Sequence, residues 1–171
     1  TYSQPITAGG TISISAGGGL NIDGNLDAKS GGIGITSNNI NSPISVSIQG
    51  NLSSPNGGVS VGGIGNETVI SSIDLSPSGS NIDSAVSLTA LDGPISVSGS
   101  ISAPKGLFID NYGTSGAVQI GKVALYGGSG GVFSGLTIQN NGGSISIASG
   151  ASLQSDNVVR LYSPSSVNIG S

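Results

Sequence analysis

The sequence predicts an all-β chain wound as a triangular parallel β-solenoid, and three observations carry that prediction. Short runs in which Ile, Val and Leu alternate with Ser, Asn and Gly recur along the whole length, the period-two pattern of a strand with one buried side. The runs come three to a block, in blocks of 21–27 residues, the repeat length of units that bury their apolar face by stacking on one another. Glycine fills 31 of 171 positions and charged residues make up 7%; no 3.6-residue periodicity survives that composition, so helix is not expected. A hairpin sandwich would not keep the third run equivalent from block to block. In a solenoid each coil lies about 4.8 Å from the last, and equivalent residues line up in columns.

The unit is plainest at residues 93–106 (GPISVSGSISAPKG): an alternating strand at Ile95 and Val97, a glycine corner at Gly99, a further apolar start at Ile101 and a Pro-Lys-Gly turn. In chain order, a first strand opens each coil at Ile12, Ile33, Val59, Val86, Leu107, Val132 and Val158, at spacings of 21, 26, 27, 21, 25 and 26 residues. Second strands are expected at Leu20-Asn21-Ile22, Ile44-Ser45-Val46, Val69-Ile70, Ile95-Ser96-Val97, Val118-Gln119-Ile120, Ile145-Ser146-Ile147 and Val167-Asn168-Ile169. Third, shorter elements centre on Leu26, Leu52, Leu75, Ile101, Leu125 and Leu153. Gly24, Gly50, Gly99 and Gly150 fall between second and third strands, where a corner of positive φ calls for glycine. Residues 37–41 (SNNIN) and 76–84 (SPSGSNIDS) read as surface loops that lengthen a corner. The whole span 1–171 is expected to be one solenoid domain of about six to seven coils, roughly 30–34 Å long. Neither end carries an obvious polar cap, which reads as a piece of a longer array or a subunit that stacks end to end.

Composition narrows the function classes. A net charge of −4 and only four basic residues, Lys29, Lys105, Lys122 and Arg160, scattered along the chain, argue against a nucleic-acid partner. No apolar run reaches the roughly 18 residues of a membrane helix, so membrane insertion is not expected. With no Cys and no His, the sequence offers neither a disulfide framework nor the usual zinc ligands or catalytic triads. Among the eight acids only Asp23 and Asp27 lie close together, and a β-helix hydrolase needs carboxylates converging on one face. Asp27 with Lys29, and Asp23 with Lys122, read as ordinary surface charges. The Gly-Gly-x-Gly-x-Asp nonapeptide of calcium rolls is missing, and residues 127–131 (GGSGG) lack the Lys-Ser/Thr of a phosphate loop. The sequence thus predicts no catalysis and no cofactor.

The outer surface is more informative. If the opening aliphatics point inward, the residues after them form an outward ladder of Ser13, Gly34, Ser60, Ser87, Phe108 and Phe133, which turns aromatic late in the chain. Tyr112, Tyr126 and Tyr162 fall in the same late coils. Phe108, Tyr112, Tyr126, Phe133 and Tyr162 are therefore the candidate interaction face, suited to a partner, a sugar or a neighbouring copy. The other register would turn Phe108 and Phe133 into a wider core. A second surface, with Ser45, Ser47, Ser96, Ser98 and Ser146, is small and flat. The threonines (Thr11, Thr36, Thr68, Thr89, Thr114, Thr137) do not fall in the single column typical of ice-binding solenoids. Asn51-Leu52-Ser53 and Asn66-Glu67-Thr68 match the glycosylation sequon.

GGTISISAGGGLNIDGNLDAKSGG at residues 9–32, GNLSSPNGG at 50–58 and the unit at 93–106 resemble the repeats of filamentous-haemagglutinin-type bacterial exoproteins. The resemblance covers nearly the whole chain through loose motifs. It implies a right-handed parallel β-helix, an extracellular or cell-surface location, and a role in adhesion or matrix. Of that family's secretion-domain motifs, Asn-Pro-Asn-Leu and Asn-Pro-x-Gly, this chain has only Ser54-Pro55-Asn56-Gly57, so the resemblance implies shaft, and no functional residue carries over. The expected function is a structural shaft or self-assembling fibre subunit, associating end to end or side by side. The alternative is a carbohydrate- or ice-binding module using a flat or aromatic outer face.

Overall fold

The computed structural model describes residues 1–37, 45–54, 56–63, 67–74, 85–90, 94–129 and 134–170. These residues form short parallel strands stacked as a β-solenoid, with no helix among them. Each coil contributes a strand to three faces. Face one is a seven-stranded ladder of Ile12–Ala16, Ile33–Ser37, Val59–Gly63, Val86–Ala90, Leu107–Asn111, Leu136–Asn140 and Val159–Tyr162. Face two runs through Leu20–Ile22, Ile95–Val97, Val118–Ile120, Ile145–Ile147 and Val167–Ile169. Face three holds Ile6–Ala8, Leu26–Ala28, Ile101–Ala103, Ala124–Gly127 and Ser152–Ser155. Two longer strands, Ser45–Ser53 and Glu67–Asp74, pass from face two to face three without a break and join them into one twelve-stranded sheet.

Register is fixed by a bond that recurs in every coil. The first N–H of each face-one strand donates to the carbonyl just before the next one: Ile12 to Gly32, Ile33 to Gly58, Val59 to Ala85, Val86 to Gly106, Leu107 to Gly135 and Leu136 to Val158, all at 2.8–3.0 Å. Two aliphatic columns result on the inner side of this face. One holds Ile12, Ile33, Val59, Val86, Leu107 and Leu136, the other Ile14, Ile35, Val61, Leu88, Ile109 and Ile138, and all twelve are buried. Face two adds Leu20 over Val46 and, further along, Ile95, Val118 and Ile145; face three adds Leu26 over Leu52, and Ile101 over Leu125. Each such side chain contributes about 1.5–3 kcal/mol by leaving water, and the columns make one continuous core.

Several expected positions shift within this frame. Leu107 pairs with Leu136, so the coil after the one at Leu107 opens at Leu136 and not at Val132, which lies outside the described residues. The next opens at Val159 and not Val158, and the last two spacings become 29 and 23 residues. Leu20 pairs with Val46, two residues beyond the expected Ile44; Thr68 stands where Val69 was expected to lead; Leu52 pairs with Ile73 and not Leu75. The chain also places a face-three strand, Ile6–Ala8, ahead of the first expected coil. Residues 38–41 and 76–84 of the expected loops lie outside the described residues.

Two of the corner glycines have a different cause from the one expected. Of Gly24, Gly50, Gly99 and Gly150, only Gly150 has a positive φ, of 79°. Gly24 and Gly50 are required by stacking: a Cβ on Gly50 would fall onto the carbonyl oxygen of Gly24, and one on Gly24 onto the carbonyl of Gln4. Coils about 4.8 Å apart leave no room for a side chain aimed along the stack.

Candidate interaction face

Face one carries the candidate site on its outer side. The ladder sets the outward residues in two columns whose rows are Ser13 and Ser15, Gly34 and Thr36, Ser60 and Gly62, Ser87 and Thr89, Phe108 and Asp110, Thr137 and Gln139, then Arg160 and Tyr162. The first four rows are small and uncharged. Beside them, where Gly34 leaves a gap, Thr11, Gly32, Gly58, Ser60, Ala85 and Ser87 border an open depression of about 450 Å³. The last three rows carry bulk. Phe108 points outward in this register and does not enter the core, while its coil neighbours Leu107 and Ile109 are fully buried.

The corner after the bulky rows is held by amides. Asn111 and Asn140 are register partners, both buried and both on the inner side. Asn111 Nδ2 donates to Asn140 Oδ1 at 3.2 Å and to the Ser115 carbonyl at 2.8 Å. Asn140 Nδ2 donates to the carbonyls of Ser144 (2.9 Å) and Gly116 (3.2 Å), and its Oδ1 accepts from Gly143 N–H at 3.0 Å. In the next coil Ser163 continues the column, with its hydroxyl donating to the Gly143 carbonyl at 2.6 Å. Each amide thus closes its own turn and ties it to the coil beside it.

Asp110 sits on the outer side of the same strand yet is only 1% exposed. Burial pushes its carboxyl above the usual carboxylate range, partly opposed by the Tyr112 hydroxyl that bonds to it. Asn141 Nδ2 also reaches Asp110 Oδ1, at 3.4 Å, and Gln139 Nε2 donates to Asn141 Oδ1 at 3.0 Å. The Tyr112 hydroxyl is raised in turn, by desolvation first, then by the charge of Asp110 and the bond to it.

The expected aromatic cluster divides. Phe108, Tyr112 and Tyr162 lie on face one or its rim, with Tyr112 54% and Tyr162 57% exposed. Tyr126 stands on face three, in register with Ser102 and Gln154, where its hydroxyl donates to Asp156 Oδ2 at 2.5 Å. That bond, ahead of desolvation, pushes the Tyr126 hydroxyl up. Phe133 lies outside the described residues, and Thr137 takes the ladder position next to Phe108 that was assigned to it. Comparison with protein-family models, curated proteins and solved structures finds no match to this chain. Among the described residues no three His, Cys, Asp or Glu side chains gather as a metal site would require, and no helix is long and apolar enough to cross a membrane. Lys29 pairs with Asp27 in the open.

Asn111, Gln139, Asn140 and Asn141 were not singled out from sequence, and Asp110 counted there only as one of the eight acids. The available signal was the match of Leu-Phe-Ile-Asp-Asn at 107–111 with Leu-Thr-Ile-Gln-Asn at 136–140, two strands that end on the same amide. Counting coils from Val132 hid that match.

Proposed function

We propose that this chain is a structural β-solenoid, an extracellular shaft or fibre subunit of adhesin or matrix type, whose work is to hold a stiff form and to associate. The observation that carries the reading is the continuity of the aliphatic columns. They run in register along face one, and along face two through Ile22, Ile48, Ile70, Val97, Ile120 and Ile147, into the last strands, where Val159 and Ile169 stand 40% and 64% exposed. Stacked apolar columns of this kind accept a further coil in the same geometry, whether from the same chain or from a second copy. The resemblance to haemagglutinin-type repeats points the same way and supplies the extracellular setting.

Electron microscopy of the purified chain over a concentration series tests this. The expected result is particles that lengthen with concentration at a constant width of one solenoid. Particles of one length at every concentration would remove end-to-end association, and cleavage of a polysaccharide that is lost in Asp110→Ala would replace the structural reading with a catalytic one.

A further inference from the structure

We infer that the outer side of face one is a self-complementary surface on which two copies pack side by side in opposite axial directions. Self-pairing of a flat face about a twofold axis can run two ways. With the axis along the solenoid, each row meets its own copy with the two columns exchanged: Phe108 would face Asp110, Arg160 would face Tyr162, bulk would meet bulk, and the depression around Gly34 would stay empty. With the axis along the strands, row order reverses and every bulky row meets a small one. Phe108 then faces Ser60, Thr137 faces Gly34, Tyr162 faces Ser15, and Ser87 meets Ser87 on the axis.

Three features select a second copy as the occupant. The steps match: three rows carry bulk, three are small, and the Ser87 row divides them. Charge agrees, because Arg160 is the one exposed charge in the described outward columns, and row reversal separates the two copies of it by about six rungs, roughly 29 Å, where equal-row pairing would crowd both onto one rung. The area is sufficient: seven rungs by five residues is a face of about 500 Å² per copy, so about 1,000 Å² in total, at the weak end of specific interfaces. This pairing does not depend on end-to-end growth, which adds length where lateral pairing doubles width.

The test uses two probes that the fold tolerates. A Cβ at Gly34 meets nothing within 4 Å and needs no unusual backbone, so Gly34→Arg is expected to leave the monomer folded, and it sets bulk and charge against Thr137 and Arg160 of the other copy. Sedimentation is expected to show a monomer–dimer equilibrium for the native chain, weakened at least tenfold in Gly34→Arg with unchanged circular dichroism. The native chain has no cysteine, so single-cysteine variants report geometry directly. A short bis-maleimide is expected to link Ser87→Cys chains into dimers and to leave Ser13→Cys chains, whose thiols lie about 29 Å apart in the pair, as monomers. Monomer at every concentration, equal linking of both variants, or a Gly34→Arg dimer as strong as the native one would overturn the inference. So would a monomer that retains a soluble polysaccharide through Phe108 and loses it in Phe108→Ser, which would give the face to a sugar.

Discussion

Asp110 shows how one side chain can work against the fold that holds it. A buried carboxylate loses hydration, and Tyr112 and Asn141 restore only part of it. Because its pKa is raised on folding, the folded chain holds a proton at Asp110 more tightly than the unfolded chain does. This residue therefore favours the folded state below the ordinary carboxylate pKa, and that advantage is lost as pH rises through the folded value. Asp110→Asn keeps the shape and removes the charge; it should raise the melting temperature at pH 7 and leave it unchanged at pH 3, as thermal melts at the two values would show. Asn140 is the opposite case, a buried amide with partners on both its atoms. Asn140→Ala strands the carbonyls and N–H groups of two turns and should cost about 2–3 kcal/mol in a denaturant titration. Asn141→Ala, at a half-buried position, should cost about 1 kcal/mol.

At the scale of the strand, glycine has two meanings in this chain, and one substitution separates them. Gly50→Ala drives a methyl onto the Gly24 carbonyl and should destabilise by about 1–3 kcal/mol, because neighbouring coils must part. Gly34→Ala adds the same methyl over open space on the outer face and should be neutral or stabilising by up to about 1 kcal/mol, mainly by restricting the unfolded chain. Paired denaturant melts decide between the two. The strands themselves were legible wherever alternation was sharp: Ile95-Ser96-Val97, Val118-Gln119-Ile120 and Ile145-Ser146-Ile147 stack as read. Errors arose where alternation says nothing about register. A two-residue slip, as from Ile44 to Val46, keeps every side chain on its face, so the pattern alone cannot detect it. The 29-residue coil between Leu107 and Leu136 defeated counting, and the aromatic ladder was misassigned with it. The corner glycines were placed correctly at Gly24 and Gly50 but for the wrong reason, since backbone approach between coils leaves no trace in a local sequence window.

For the molecule as a whole, stability is close to a sum over coils and the contacts between neighbours. Central coils are covered on both sides, whereas in the last strands Val159, Val167 and Ile169 are exposed and Leu161 is half-buried. Hydrogen exchange should follow that gradient, with the amides of Val86–Ala90 and Leu107–Asn111 slowest and protection falling through Leu136–Asn140 to the last coil. Uniform protection from end to end would mean that the stack opens as a single unit. The bonds that recur from Ile12 to Leu136 all point along the solenoid axis, and this gives the molecule a mechanical character. Tension along the axis loads those rungs in series, so the weakest gives way alone while the others hold. Each release pays out 21–29 residues, roughly 70–100 Å of slack, before the next rung takes the load. A shaft built this way yields by stepwise lengthening under pull, and its coils act as a reserve of extension that is drawn down one at a time.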